Sequence, residues 1–286
     1  MNNFLLKISL LVLTFTFLSF RWPVENGRIT STFGESRGDH FHDGLDIICA
    51  DDKIFPTADG ALMYFWDKSF FPLDNEPGGG NFAVVQHDDD VCSVYMHLAA
   101  GTVSLKPVNG QLAVVGNSGH SFAKHLHISI FKKESRESIN PLLVLPKYND
   151  NIAPSINSIY IKIEEKYIQI RDTASIRLTR HYPLLVEIRD KALGNENLGI
   201  YSLEAVLNGK HALNIKFDAI KFSDSGLTVD DKLFPSVMDE KGYYVVDGLK
   251  HKQGENVLEV IASDFNGNTS RKVFTYSANL DMEQAL

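Results

Sequence analysis

His125-Leu126-His127-Ile128-Ser129-Ile130 alternates polar and apolar residues without interruption. A period of two belongs to a strand, with His125, His127 and Ser129 on one face and Leu126, Ile128 and Ile130 on the other. The apolar face packs inward, so two imidazoles point together into a cleft. Crowding argues against both binding one ion with good geometry. One metal ligand beside one acid/base is the more natural division. Alone, a His-x-His strand is more often a pair of hydrogen-bonding histidines.

Two further motifs lie upstream, His42-Asp43-Gly44-Leu45-Asp46 and Tyr95-Met96-His97-Leu98. Of the ten histidines, seven (His40, His42, His87, His97, His120, His125, His127) precede residue 130. Asp46 opens the apolar run Ile47-Ile48-Cys49, which puts a carboxylate at the mouth of a buried strand. An unpaired charge there is costly, and a cation relieves it. His97 ends the apolar run Val94-Tyr95-Met96. Each motif alone has a plain structural explanation. Together, His42, Asp46, His97, His125 and His127 form a candidate hydrolytic zinc site, which needs three protein ligands and one open position for water. His40, His87 and His120 read as loop or turn residues, and Glu35 with Asp39 as a solvated charged loop.

The rest of the chain is also β-patterned. Residues 24–145 hold short apolar runs (Ile54 to Trp66, Phe82 to Gln86, Val91 to Leu98, Gln111 to Val115) separated by Gly, Asn and Asp turns, with no helix-period stretch. Residues 67–81, ending Pro77-Gly78-Gly79-Gly80, form a long loop beside the candidate site. Pro146 to Pro154 is polar, bracketed by prolines, and reads as a linker. Beyond it, Ile159/Ile161/Ile163, Leu184/Val186/Ile188 and Leu258/Val260/Ala262 alternate with their neighbours. Asn266-Gly267 predicts a tight hairpin turn with both residues at positive φ. The expected architecture is all-β: a compact antiparallel sheet domain, then an immunoglobulin-like sandwich. The expected bounds are 1–20 for an export or anchor segment, 21–146, a linker at 147–154, 155–280, and a tail at 281–286.

A net charge of −8 over 286 residues opposes nucleic-acid binding. Met1 to Phe20 carries one charge, Lys7, ahead of thirteen nearly pure apolar residues, which suits a signal peptide better than a full membrane span. Export to the periplasm or cell envelope is the expectation, with secretion as the alternative. Cleavage and an uncleaved membrane anchor through residues 4–20 both stay open. Cys49 and Cys92 could pair after export or remain two thiols.

At these motifs the chain resembles the lysostaphin/LytM-type zinc metallopeptidases over roughly residues 24–145. Arg28 to Gly34 resembles the family's entry strand, His42 to Ile47 its first metal motif, and Pro56 to Gly60 the turn that follows. Gly80 to His87 with Tyr95 to Leu98 resembles its central hairpin. Gly116-Asn117-Ser118-Gly119 precedes the His-x-His strand, and Asn140-Pro141-Leu142 resembles the usual close. The resemblance implies one Zn2+ per chain held by His42, Asp46 and His127, with His97 and His125 as catalytic histidines. It implies a zinc endopeptidase cutting the stem or bridge peptides of peptidoglycan. The alternative is a non-catalytic wall-binding protein or an activator of another wall hydrolase. Ser121-Phe122-Ala123-Lys124 and the loop from Asp67 to Gly79 depart from the family pattern and put substrate preference in question. The second domain lies outside the resemblance, and a cell-envelope protein partner is one role open to it.

Overall fold

The computed structural model describes residues 19–88, 90–106, 110–191 and 196–281. The expected export segment lies almost wholly outside them, as does most of the tail. Among the described residues no helix is long and apolar enough to cross a membrane.

The structure is nearly all β, as its alternating patterns predict. A ten-stranded antiparallel sheet organises the first half. At its heart is the strand Leu126–Lys132, flanked on one edge by Val91–Leu98 and on the other by Leu45–Ile48 and Glu137–Ile139. Leu126, Ile128 and Ile130 are fully buried, as the period of two requires. Around Leu126 and Ile128, Leu45, Ile47, Val85 and Tyr95 close one apolar core. Each fully buried aliphatic side chain contributes about 1.5–3 kcal/mol. The register places Asp46 directly opposite His127 on one side and Met96 opposite it on the other. Directly opposed residues share a sheet face, so pairing alone brings two of the three motifs together.

The second half forms two sheets over one core. Lys166–Ile170, Ser155–Ile163, Leu184–Arg189 and Tyr244–Val246 make the first, and five strands including the long hairpin Gly254–Ser263/Thr269–Leu280 make the second. Ile159, Val186 and Val246 from one sheet meet Leu203, Val260 and Phe274 from the other, which makes a β-sandwich. The hairpin turn differs from the expected one. Only Gly267 has positive φ, and the loop spans five residues between the paired Ser263 and Thr269. The Asp264 carboxylate accepts the Asn266 and Asn268 N–H groups at 2.8 and 2.9 Å. That local side-chain turn replaces the two-residue one.

Strand pairing joins the two halves. Ala219–Ser223 adds to the exposed edge of Glu137–Ile139, and Gly226–Val229 and Lys232–Leu233 extend it further. Phe33 and Phe41 of the first half are buried with Phe217 and Phe234 of the second; the Phe41 and Phe234 rings lie 5.1 Å apart. Cys49 and Cys92 are free thiols.

Candidate metal centre

Three atoms form a tight triangle. His42 Nε2 lies 3.1 Å from Asp46 Oδ1 and 3.0 Å from His127 Nδ1, and His127 Nδ1 lies 3.0 Å from Asp46 Oδ1. A tetrahedron of ligands about 2.0–2.1 Å from zinc has edges of about 3.3 Å, so the triangle matches one face of such a site. The outward nitrogens explain why. His42 Nδ1–H donates to the Thr32 carbonyl at 2.8 Å, leaving a lone pair on Nε2. His127 Nε2 meets Ser129 Oγ at 2.9 Å and Asp43 Oδ1 at 3.4 Å, which leaves Nδ1 facing inward. Second partners of this kind orient metal-binding imidazoles. Three acceptors then converge on one point, and only a proton or a cation relieves them. Burial alone would lower the His127 pKa, but the Asp43 and Asp46 carboxylates push it up to about 9. Burial works against ionisation of Asp46 too, yet the three imidazoles gathered on it, His125, His127 and His42, hold it far below the carboxylate range. The donor set, two imidazoles and a carboxylate, fits zinc.

Asp46 is fixed from behind. Arg37 Nη2 donates to its Oδ2 at 2.7 Å and to Ser31 Oγ at 2.8 Å, so Oδ1 alone faces the triangle. Gly44 is required by contact: a Cβ there would lie 2.4 Å from the Ile128 carbonyl oxygen and 2.7 Å from His127 Nε2.

His97 and His125 stand beside the triangle with ring centroids 4.8 Å apart. His97 Nδ1–H donates to the Ser118 carbonyl and His125 Nδ1–H to the Ala123 carbonyl, each at 2.8 Å. Both tautomers therefore carry a lone pair on Nε2, and His125 Nε2 lies 3.6 Å from Asp46 Oδ1. Burial, reinforced by the neighbouring His125 and His127, lowers His97 to about 4. Burial would lower His125 as well, but the Asp46 carboxylate beside it outweighs that and raises it. His97 has φ of 62°, a left-handed conformation that a non-glycine residue holds only under constraint. Its N–H is tied to the Gly79 carbonyl at 2.9 Å, so the long loop reaches the site through backbone. Phe70 and Phe71 of that loop instead pack on Phe65.

All five candidate residues are thus gathered around one point. Other roles differ from the expected ones. Glu35 belongs to no solvated loop: its side chain accepts from Thr32 N–H at 2.6 Å, Thr32 Oγ1 at 2.8 Å and Gly199 N–H at 2.9 Å. His87 joins an internal chain, with Nε2 2.8 Å from Ser93 Oγ, itself 2.7 Å from the Tyr95 hydroxyl. Arg37 and Asp43 were not singled out in the sequence. Asp43 sits inside the first motif, and that position was the one available signal; nothing marks Arg37.

A family model described as Peptidase family M23 matches residues 40–141, and a second family model matches residues 153–279. Murein hydrolase activator NlpD of Escherichia coli (strain K12) is 33% identical over 134 residues, 45% of this chain and 32% of that protein. Lipoprotein NlpD of Yersinia enterocolitica is 33% identical over 99 residues, 33% of this chain and 90% of that protein. The chain therefore spans about a third of the length of the Escherichia coli relative. Among solved structures, the catalytic domain of lysostaphin from Staphylococcus simulans is 20% identical with a TM-score of 0.33, covering 41% of this chain and 91% of its own. A zinc containing peptidase from Vibrio cholerae is 23% identical with a TM-score of 0.33, covering 40% of this chain and 37% of its own. The chain belongs to peptidase family M23, the LytM/lysostaphin family, through its first half.

Proposed function

We propose that this protein is a zinc-dependent endopeptidase that hydrolyses peptide cross-links of bacterial peptidoglycan. The observation that carries the reading is the complete set: a His42/Asp46/His127 triangle of converging acceptors with a second pair, His97 and His125, beside it. His42, Asp46 and His127 would hold the ion. Bound there, zinc supplies Lewis acidity and a water acidic enough to attack a carbonyl near neutral pH.

The chain's own groups do the rest. His97, uncharged because it is buried, accepts the attacking water's proton at Nε2. His125, made more basic by Asp46, acts as the imidazolium and donates the proton on Nε2 to the oxygen that gains charge. A placed acid/base is worth about 10²–10⁴-fold in rate. Arg37 keeps Asp46 in one orientation, and the Ser118 and Ala123 carbonyls fix both proton-transfer tautomers. Export to the periplasm or cell envelope, anchored or free, completes the proposal, since the substrate lies there.

The name of the Escherichia coli relative, murein hydrolase activator, favours a second reading in which the chain activates another wall hydrolase without cutting. One experiment separates the two: mass spectrometry of muropeptides after incubation with wild type, His125→Ala and chelator-treated protein. New cleaved products from wild type alone support the peptidase. Zinc bound at one equivalent with no cleavage of any peptidoglycan supports the activator.

A further inference from the structure

Three carboxylates converge where the linker meets the sandwich. Asp150 lies in the linker, Asp190 directly follows the strand Leu184–Arg189, and Asp264 opens the loop after Gly254–Ser263. One oxygen from each lies within 4.8 Å of the other two. Their exposures are 9%, 2% and 1% respectively. Carboxylates brought together out of water cannot all stay ionised unless something positive joins them.

Two of the three are partly satisfied. Asp264 accepts two backbone N–H groups on Oδ1, and the Asn268 amide at 2.7 Å on Oδ2. Asp150 Oδ1 accepts the Ile152 N–H at 3.0 Å. Asp190 is different: among the described residues its buried Oδ1 has no hydrogen-bond partner. Burial, then the charges of Asp264 and Asp150, raise its pKa to about 7. Arg28 and Arg189 are taken up by Glu196 and Glu187. Lys147 lines the same cavity but is exposed. The cavity encloses about 200 Å³, room for an ion with water ligands.

We propose that Asp150, Asp190 and Asp264 form a binding site for a hard divalent cation, Ca2+ in preference to zinc, that ties the linker to the sandwich. The donor set is all oxygen and rich in carboxylate, which suits calcium; it offers neither imidazole nor thiolate, which a zinc site would prefer. The neighbouring backbone is organised around the same point. Asn268 Nδ2 donates to the Asp150 carbonyl at 3.1 Å, and Asn266 Nδ2 to the Tyr148 carbonyl at 2.7 Å. The ion would thus join three segments already laced together, and it is independent of the zinc triangle.

The test uses the full chain, stripped with chelator and titrated with CaCl2 by calorimetry and by thermal unfolding. Wild type, Asp190→Asn, Asp150→Asn and His127→Ala are compared, with circular dichroism to confirm folding. The expected result is one Ca2+ per chain and a higher melting temperature in wild type. Both effects persist in His127→Ala and are lost in Asp190→Asn and Asp150→Asn. No heat and no shift in wild type up to millimolar CaCl2 would overturn the proposal and leave the three acids sharing a proton. Undiminished calcium binding by folded Asp190→Asn, or loss of binding in His127→Ala, would overturn it equally. None of these outcomes depends on peptidase activity.

Discussion

His127 is the residue on which the proposed chemistry turns, because a proton and a metal compete for its Nδ1. With a pKa of about 9 it is protonated at neutral pH when no cation is bound. Zinc uptake at pH 7 should therefore release about one proton, as ligand deprotonation requires. Calorimetry in buffers of different ionisation enthalpy reads this directly, and no buffer dependence would refute it. The linkage has a definite sign. The folded pKa lies above the ordinary value of 6.5, so His127 stabilises metal-free protein fully below about pH 6.5. That contribution is lost as pH rises toward about 9, and chelator-treated protein should melt at lower temperature at pH 9 than at pH 6. Substitutions should separate the two roles. His127→Ala is expected to lose zinc and activity together, whereas His125→Ala keeps zinc and loses about 10²–10⁴-fold in rate. Metal analysis beside muropeptide assays distinguishes them. Gly44→Ala would drive a methyl into the His127 strand and should weaken zinc binding by ~10–100-fold, the cost typical of a disturbed ligand support.

Elements position these residues through register and loop lacing. The strand Leu126–Lys132 delivers His127 opposite Asp46, but His97 depends on a different device. Its left-handed backbone is held where the 67–80 loop crosses the 116–121 loop: His97 N–H on Gly79, His120 N–H on Gly78, and Gly119 N–H on the Glu76 carboxylate. Gly80 has φ of +65°, and a Cβ there would lie 2.4 Å from Ser118, whose carbonyl orients His97. Gly80→Ala should therefore leave zinc content unchanged while lowering kcat by ~10²-fold, since small misplacements of catalytic groups are costly. Equal loss of zinc would show that the loop supports the ligands instead. Residues 121–124 act similarly on His125. Ser121 Oγ donates to the Ala123 carbonyl at 2.8 Å and lies 3.3 Å from His125 Nδ1, so the departure from the family pattern lies in a turn that still orients its histidine.

Across the whole molecule, the two halves share a sheet and a core. Gly199 N–H reaches Thr32 Oγ1 at 2.8 Å and Glu35 at 2.9 Å, next to the strand that carries the His42 support. A chain ended at residue 150 would expose Phe33 and Phe41 and leave the edge Glu137–Ile139 unpaired. Exposed apolar surface and open edges favour aggregation. Such a fragment is expected to be less stable than the full chain and to exchange its Ser138 and Asn140 amides faster, as hydrogen exchange would show. A fragment that melts like the full chain would refute the coupling.

Local pattern determined much of this protein. The strict alternation at 125–130, the apolar runs at 82–86 and 91–98 and the histidine clustering all report on neighbours within a strand, where side-chain direction follows from the backbone period alone. The five candidate residues were legible from that pattern combined with the family resemblance of the three motifs. Contacts between distant segments were not, because a short alternating run carries no label for its partner. The pairing of Ala219–Ser223 with Glu137–Ile139, the Glu35 carboxylate on the Gly199 N–H, and Asp150 beside Asp190 and Asp264 all join residues far apart in the chain. Charged side chains in polar stretches read as solvated until folding removes the water around them. Chain closure in three dimensions supplied those partners, and with them the difference between a surface charge and a buried ligand.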